Sequence, residues 1–146
     1  VIARFLQVLL AAWAGSLWTI CLIVAPSLFA FMQDRHLAGD LAGRFFRIES
    51  WLGLVLGGAV LILLSRGIEA LRNTTNYALA TVTIAAPVSN EIVLRPLMDD
   101  ARAADNMKLF GILHGAAALL FGFACVTALL LVWRVAAQSE AKRPAE

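Results

Sequence analysis

The sequence predicts an all-α, polytopic membrane protein, a bundle of four transmembrane helices. Three observations carry that reading. Of its 146 residues, 61% are hydrophobic and 15% charged, where soluble domains carry about 25% charged residues. Mean hydropathy over the whole chain is +0.81. Four apolar stretches, over residues 5–31, 48–71, 77–94 and 107–135, approach or exceed the roughly 20 residues that cross a bilayer core. Residues 1–135 then read as one transmembrane domain and 136–146 as a polar C-terminal tail. The lipid bilayer is the first expected partner. A net charge of +2, dispersed along the chain, argues against nucleic-acid binding.

The first stretch, Phe5–Phe31, is long and lacks a small-residue cleavage signature after a short apolar core. It reads as a retained helix and not a leader. Gly15, Thr19, Leu22 and Pro26 follow at spacings of 4, 3 and 4, so they share one face. Pro26 removes a main-chain donor and predicts a kink near the end of the helix. Gln33–Arg47 reads as a loop holding a short interfacial helix, because Leu37, Leu41 and Phe45 recur among charges. His36 in this loop reads as solvated.

In the second stretch, Ile48–Leu71, Glu49, Gly53 and Gly57 share a face at spacing 4. The Gly53-x-x-x-Gly57 pair signals close helix packing, and Trp51 suits the membrane interface. A short polar loop, Arg72–Asn76, leads to the third stretch, Tyr77–Leu94. That stretch carries Thr81, Thr83, Pro87, Ser89, Asn90 and Glu91. A span this polar cannot face lipid all round, so it is expected to be buried or to line a wet cavity. Arg95-Pro96 is expected to end it, with Leu97–Lys108 as a charged loop.

The fourth stretch has no charge between Lys108 and Arg134. Gly111, Gly115, Ala118 and Gly122 recur at helical spacing and form a small-residue seam. His114, three residues after Gly111 and four before Ala118, is placed on that seam, so it is expected to face a neighbouring helix. Gly15 belongs to the same class of packing glycine. Cys21 and Cys125 lie inside apolar stretches and read as packing residues. No CxxC or His-rich run points to a metal site.

Four spans put both termini on one side. Six Lys and Arg residues fall on each side of the membrane, so charge does not set orientation. The expected placement has both termini in the cytoplasm.

The polar residues cluster at the end opposite the termini. Pro26 and Ser27 close the first span, Glu49 opens the second, Ser89, Asn90 and Glu91 close the third, and His114 lies two turns into the fourth. They are expected to form one layer, roughly 5–10 Å inside the hydrocarbon edge, roofed by Arg95 and by Arg44 or Arg47. Four roles are open for such a layer. Asn90 or Glu91 bonds His114 to fix helix packing, the layer forms a pocket for a solute or lipid headgroup, His114 ligates haem or a metal, or Ser27, His114 and Glu91 form a nucleophilic set. The last has no elbow or oxyanion motif beside it.

The chain resembles the small four-helix membrane proteins grouped with transmembrane protein 205, a family of unknown function widespread in bacteria. The resemblance rests on Trp13-Ala-Gly15, Pro26-Ser-Leu-Phe29, Asn90 followed by Arg95-Pro96, and Phe110-x-x-x-His114-Gly115. It spans residues 9–132. An asparagine common in that family after the His-Gly step is absent, and Gly122 stands among apolar neighbours instead. The resemblance implies a four-helix fold and weight on Asn90, Arg95 and His114; the expected location of the chain is a bacterial inner membrane. It implies no reaction. A looser likeness, to copper-resistance D and protoporphyrinogen-oxidase-like membrane proteins, rests on the first helix and an intramembrane histidine. Only His114 lies in a span, so bis-His ligation of haem b within one chain is excluded; ligation across a homodimer, or by His114 with another ligand, stays open.

The resulting expectation is a small integral membrane protein without catalytic chemistry of its own. It would be an accessory subunit of a larger membrane complex, packed against other chains or a second copy, or a solute- or lipid-binding or transport element. The rival expectation is a haem- or metal-binding redox protein centred on His114.

Overall fold

Hydrophobic length and capping chemistry divide the chain into four antiparallel rods. The computed structural model describes residues 2–67 and 69–141. Among the described residues, four helices are long and apolar enough to cross a membrane: α1 (Ile2–Phe31), α2 (Arg35–Arg66), α3 (Thr74–Ala103) and α4 (Met107–Glu140). No strand occurs among them. Asp34, Asn73 and Asn106 cap the starts of α2, α3 and α4, each with a side-chain oxygen accepting main-chain N–H groups of the first turn. The turn before α4 passes through Asp105 at φ 53°, a conformation aspartate tolerates better than most residues. The turns at residues 32–34 and 104–106 lie at one end of the bundle, called the hairpin end below.

Two prolines are absorbed by the same device. Pro26 in α1 and Pro96 in α3 lack the N–H that would reach the carbonyl four residues back. Each is preceded by a π turn, Ile20–Val24 and Asn90–Leu94, in which the N–H of Ala25 or Arg95 reaches back to Ile20 or Asn90. The one-residue slip carries the helix past the proline. The prolines stand 70 positions apart. The chain is therefore two helical hairpins of matching construction, each with a π turn in its first helix.

Helix boundaries differ from expectation where tertiary packing outweighs local signals. Arg95-Pro96 does not end α3, which runs on to Ala103, because the π turn accommodates Pro96. The segment 33–47 is not a loop with its own helix; from Arg35 it forms the first turns of α2. Gly39 and Gly43 weaken a helix by only about 1 kcal/mol each, less than the contacts that segment makes. α2 stops at Arg66, before Leu71, and a short 3-10 turn, Glu69–Leu71, follows. α4 continues through Glu140, into the expected polar tail; residues 142–146 lie outside the described residues.

The core runs down the bundle axis. Leu6, Leu10, Trp13 and Leu17 of α1 meet Val60 and Leu64 of α2 and Phe121, Cys125, Ala128 and Leu131 of α4. The glycine pair of α2 is where neighbours come closest. A Cβ at Gly53 would lie 3.1 Å from Trp13 Nε1. One at Gly57 would overlap Ile84 of α3 and stand 2.8 Å from Trp13 Cη2. Thr83 and Thr127 join α3 to α4 by a buried hydroxyl pair at 2.8 Å. At the terminal end, fully buried Asn76 donates to Gln138 at 2.8 Å and accepts from Arg134 Nε at 3.2 Å. Asn76, expected in the loop before the third span, thus ties α3 to α4.

Candidate functional site

A ladder of polar contacts joins α2 to α3 at the hairpin end. Arg102 Nη1 donates to Asp40 Oδ1 at 3.3 Å. Arg95 Nη1 donates to the Gly43 carbonyl at 3.0 Å. Arg47 Nε donates to Glu91 Oε1. Ser50 Oγ donates to the Pro87 carbonyl at 3.1 Å. Positions 40, 43, 47 and 50 are spaced 3, 4 and 3 apart, which is one helical face. Glu91 also receives Arg95 Nη1 at 3.4 Å on its second oxygen. Its side chain is 9% exposed while that of Arg47 is 50% exposed, so the carboxylate sits inside and the arginine stem reaches out along apolar surface.

A second polar group lies deeper. Glu49 is 1% exposed. Its Oε1 lies 2.9 Å from Ser16 Oγ of α1, which also stands 2.8 Å from the Trp13 carbonyl; the hydroxyl has a single proton for the two. Glu49 Oε2, Asn90 Oδ1, Arg95 Nε and Trp13 Nε1 are buried with no hydrogen-bond partner among the described residues. The thiols of Cys21 and Cys125 approach to 3.6 Å, joining the π turn of α1 to α4. Trp18 Nε1 donates to the Cys125 carbonyl at 3.1 Å.

Of the expected polar layer, the structure brings Glu49, Asn90, Glu91 and Arg95 to the α2–α3 side of the hairpin end. Pro26 and Ser89 are exposed and Ser27 is half-buried, and none of the three joins the ladder. His114 is not in the layer. It is exposed and stacks on Phe110 with ring centroids 5.9 Å apart and 11° between planes, while Glu91 is taken by Arg47 and Arg95. The reason lies in how the bundle parts at this end. The last turns of α1 pack on α2, and Arg95–Ala103 of α3 packs on α4. His114 lies where α1 has left α4. His36 is exposed, as expected, although it stands in the first turn of α2 and not in a loop.

The expected packing faces divide the same way. Gly53 and Gly57 face the interior. The Gly15, Thr19, Leu22 and Pro26 face of α1 looks outward, and all four residues are exposed. Gly111, Gly115 and Gly122 are also exposed, and no atom lies within 4 Å of a Cβ built on any of them. The interior stripe of α4 is instead Ala117, Phe121, Ala124, Ala128 and Leu131. Both stripes repeat at helical spacing, and periodicity alone does not say which one points inward.

Sequence reading missed Ser16, Arg47 as the partner of Glu91, the Gly43 carbonyl, and the Cys21–Cys125 contact. Asp40, Arg47 and Ser50 at spacings of 7 and 3 were a signal for the ladder once the segment is taken as helix. Nothing in the sequence places two cysteines 104 residues apart side by side.

Chemically, the ladder can lock α2 to α3 and hold a carboxylate between two guanidinium groups at the membrane edge. Among the described residues, no group of three or more His, Cys, Asp or Glu side chains is placed to hold a metal ion.

No curated protein and no solved structure matches the chain. A family described as a domain of unknown function (DUF4149) matches residues 8–107, a stretch that takes in most of α1, all of α2 and α3, and every rung of the ladder. The chain belongs to this DUF4149 family.

Proposed function

We propose that the protein is a non-catalytic subunit of a larger membrane assembly, docked to a helix of a partner chain through the outward face of α4. One observation supports this above others: Gly111, Gly115 and Gly122 are exposed with open space at each Cβ position, and exposed His114 borders the same face. Small residues in an apolar helix let a second helix approach closely. An imidazole about 10 Å along the helix from Met107 is costly against lipid, and a partner helix removes that cost. The bundle does not use this surface, because its own interior stripe on α4 runs through Phe121, Ala124 and Ala128.

In this reading the polar ladder is structural. It fixes α2 against α3 at the end where α1 and α4 part, and so holds the α4 face in one orientation. We group the chain with the four-helix proteins it resembles in sequence. The support is that Pro26-Ser-Leu-Phe29 and Arg95-Pro96 occupy matching places after the two π turns.

Gentle solubilisation, size-exclusion chromatography and mass spectrometry of the peak test the proposal. The wild-type chain is expected to elute with a defined partner chain. The Gly115→Ile, Gly122→Ile double variant is expected to elute without it and with unchanged thermal unfolding. A wild-type peak holding this chain and detergent alone contradicts the proposal.

A further inference from the structure

We propose that Glu49 is a proton-binding site inside the bilayer, its carboxyl held as the neutral acid and exchanging its proton with water that enters from the hairpin end past Asn90. The side chain is 1% exposed within an apolar helix. No cation faces it among the described residues. Arg47, two positions away on α2, and Arg95 on α3 are both engaged by Glu91. The titratable groups close enough to interact with it electrostatically are the Cys21 thiol of α1 and the Cys125 thiol of α4. From α3, the group beside this part of α2 is the Pro87 carbonyl, which Ser50 engages; the neutral amide of Asn90 is buried three positions further along α3, in the π turn that packs on α4.

An ionised carboxylate there has neither a counter-ion nor a full set of donors. The neutral acid needs one acceptor for its proton and avoids the cost of a buried charge. With its own proton on the Trp13 carbonyl, Ser16 Oγ is an acceptor 2.9 Å from Oε1, so Oε1 can carry the proton; Oε2 is buried and unpartnered, a poor place for ionic charge. A hard metal cation is a poor fit, since it takes about six oxygen ligands and the structure supplies one carboxylate and one hydroxyl.

The route follows from where the other unpartnered atoms lie. Asn90 Oδ1 and Arg95 Nε are buried without partners. Asn90 stands between Pro87 and Glu91, whose partners on α2 are Ser50 and Arg47. Arg95 is one rung further out, on Gly43. Beyond it, Asp40 and Arg102 are exposed. The fourth unpartnered atom, Trp13 Nε1, lies on the other side of Glu49, beside Gly53, where helices are closely packed; Asn90 Oδ1 and Arg95 Nε are the two on the hairpin side, and buried polar atoms of this kind are satisfied by water.

Infrared difference spectroscopy of the wild-type chain and Glu49→Gln in lipid at neutral pH tests this. The wild type is expected to show a neutral-acid carbonyl band that Glu49→Gln lacks and that shifts when the buffer is changed to D2O. In Asn90→Leu the band is expected to persist and its D2O shift to slow at least tenfold. An Asn90→Leu shift as fast as wild type overturns the route. Absence of a Glu49-dependent band, or a band that never shifts in D2O, overturns the site. If Glu49→Gln does not fold, the wild type is treated with dicyclohexylcarbodiimide, which adds to neutral carboxyl groups in apolar surroundings. Peptide mass spectrometry is then expected to find one carbodiimide mass on Glu49, and an unmodified Glu49 overturns the proposal.

Discussion

Arg95 of α3 donates from Nη1 to the main-chain carbonyl of Gly43 in α2 at 3.0 Å. A carbonyl inside a helix already accepts its own helical bond, and its second lone pair is usually shielded by side chains. A Cβ at position 43 would lie 3.6 Å from Arg95 Nη1, so the guanidinium rests directly on this turn of α2. The guanidinium lies against the bare helix surface and continues to Glu91 at 3.4 Å. The arginine thus ties two helices and places Glu91 with one side chain.

That geometry ranks the arginines. Arg95→Ala is expected to cost about 2 kcal/mol, the range for charge-assisted bonds lost from a largely buried site. Arg47 and Arg102 are more exposed, so Arg47→Ala and Arg102→Ala are expected to cost about 0.5 kcal/mol each. Thermal unfolding in detergent micelles measures the order. Equal losses for all three would show that the ladder has no inner rung.

The glycine pair of α2 makes a steric prediction. Gly57→Ala drives a methyl into Ile84 and Trp13 and is expected to destabilise by about 1–3 kcal/mol, the usual cost of overpacking. Gly53→Ala meets the Trp13 indole, most closely Nε1 at 3.1 Å, and is expected to cost less. Gly15→Ala meets nothing within 4 Å and is expected to be neutral or slightly stabilising, since alanine is the better helix former. Adding Ile84→Ala to Gly57→Ala is expected to recover part of the loss.

The thiol pair makes a covalent prediction. Cys21 and Cys125 Sγ are 3.6 Å apart, and a disulfide needs about 2.05 Å, so a small side-chain adjustment brings them to bonding distance. The membrane-permeant oxidant diamide, which takes up the two electrons and two protons released, is expected to close this bond in the folded chain. Non-reducing electrophoresis is expected to show a faster-migrating species that Cys125→Ser abolishes. No change in mobility at full thiol loss would place the two thiols apart.

The sequence makes the bundle plain, because apolar length and charge gaps are properties of the chain itself. It makes the interior glycines visible too, since Gly53 and Gly57 flank a helical turn in an apolar span. It does not make the ladder visible. Gly39, Gly43 and the charges around them read locally as a break, and only the contacts with Glu91, Arg95 and Arg102 show why the segment is helical. His114 illustrates a different limit. Spacing gives the angular position of a residue on its helix, but not where a neighbouring helix diverges, and α1 leaves α4 just where His114 stands.

Site-specific photo-crosslinking in the native membrane tests the docking face most directly. A photoreactive side chain replaces Gly122 on α4 or, as a control, Val55, which is 69% exposed on α2. Position 122 is expected to give a discrete protein adduct and position 55 lipid adducts. Lipid adducts alone from both positions would contradict it.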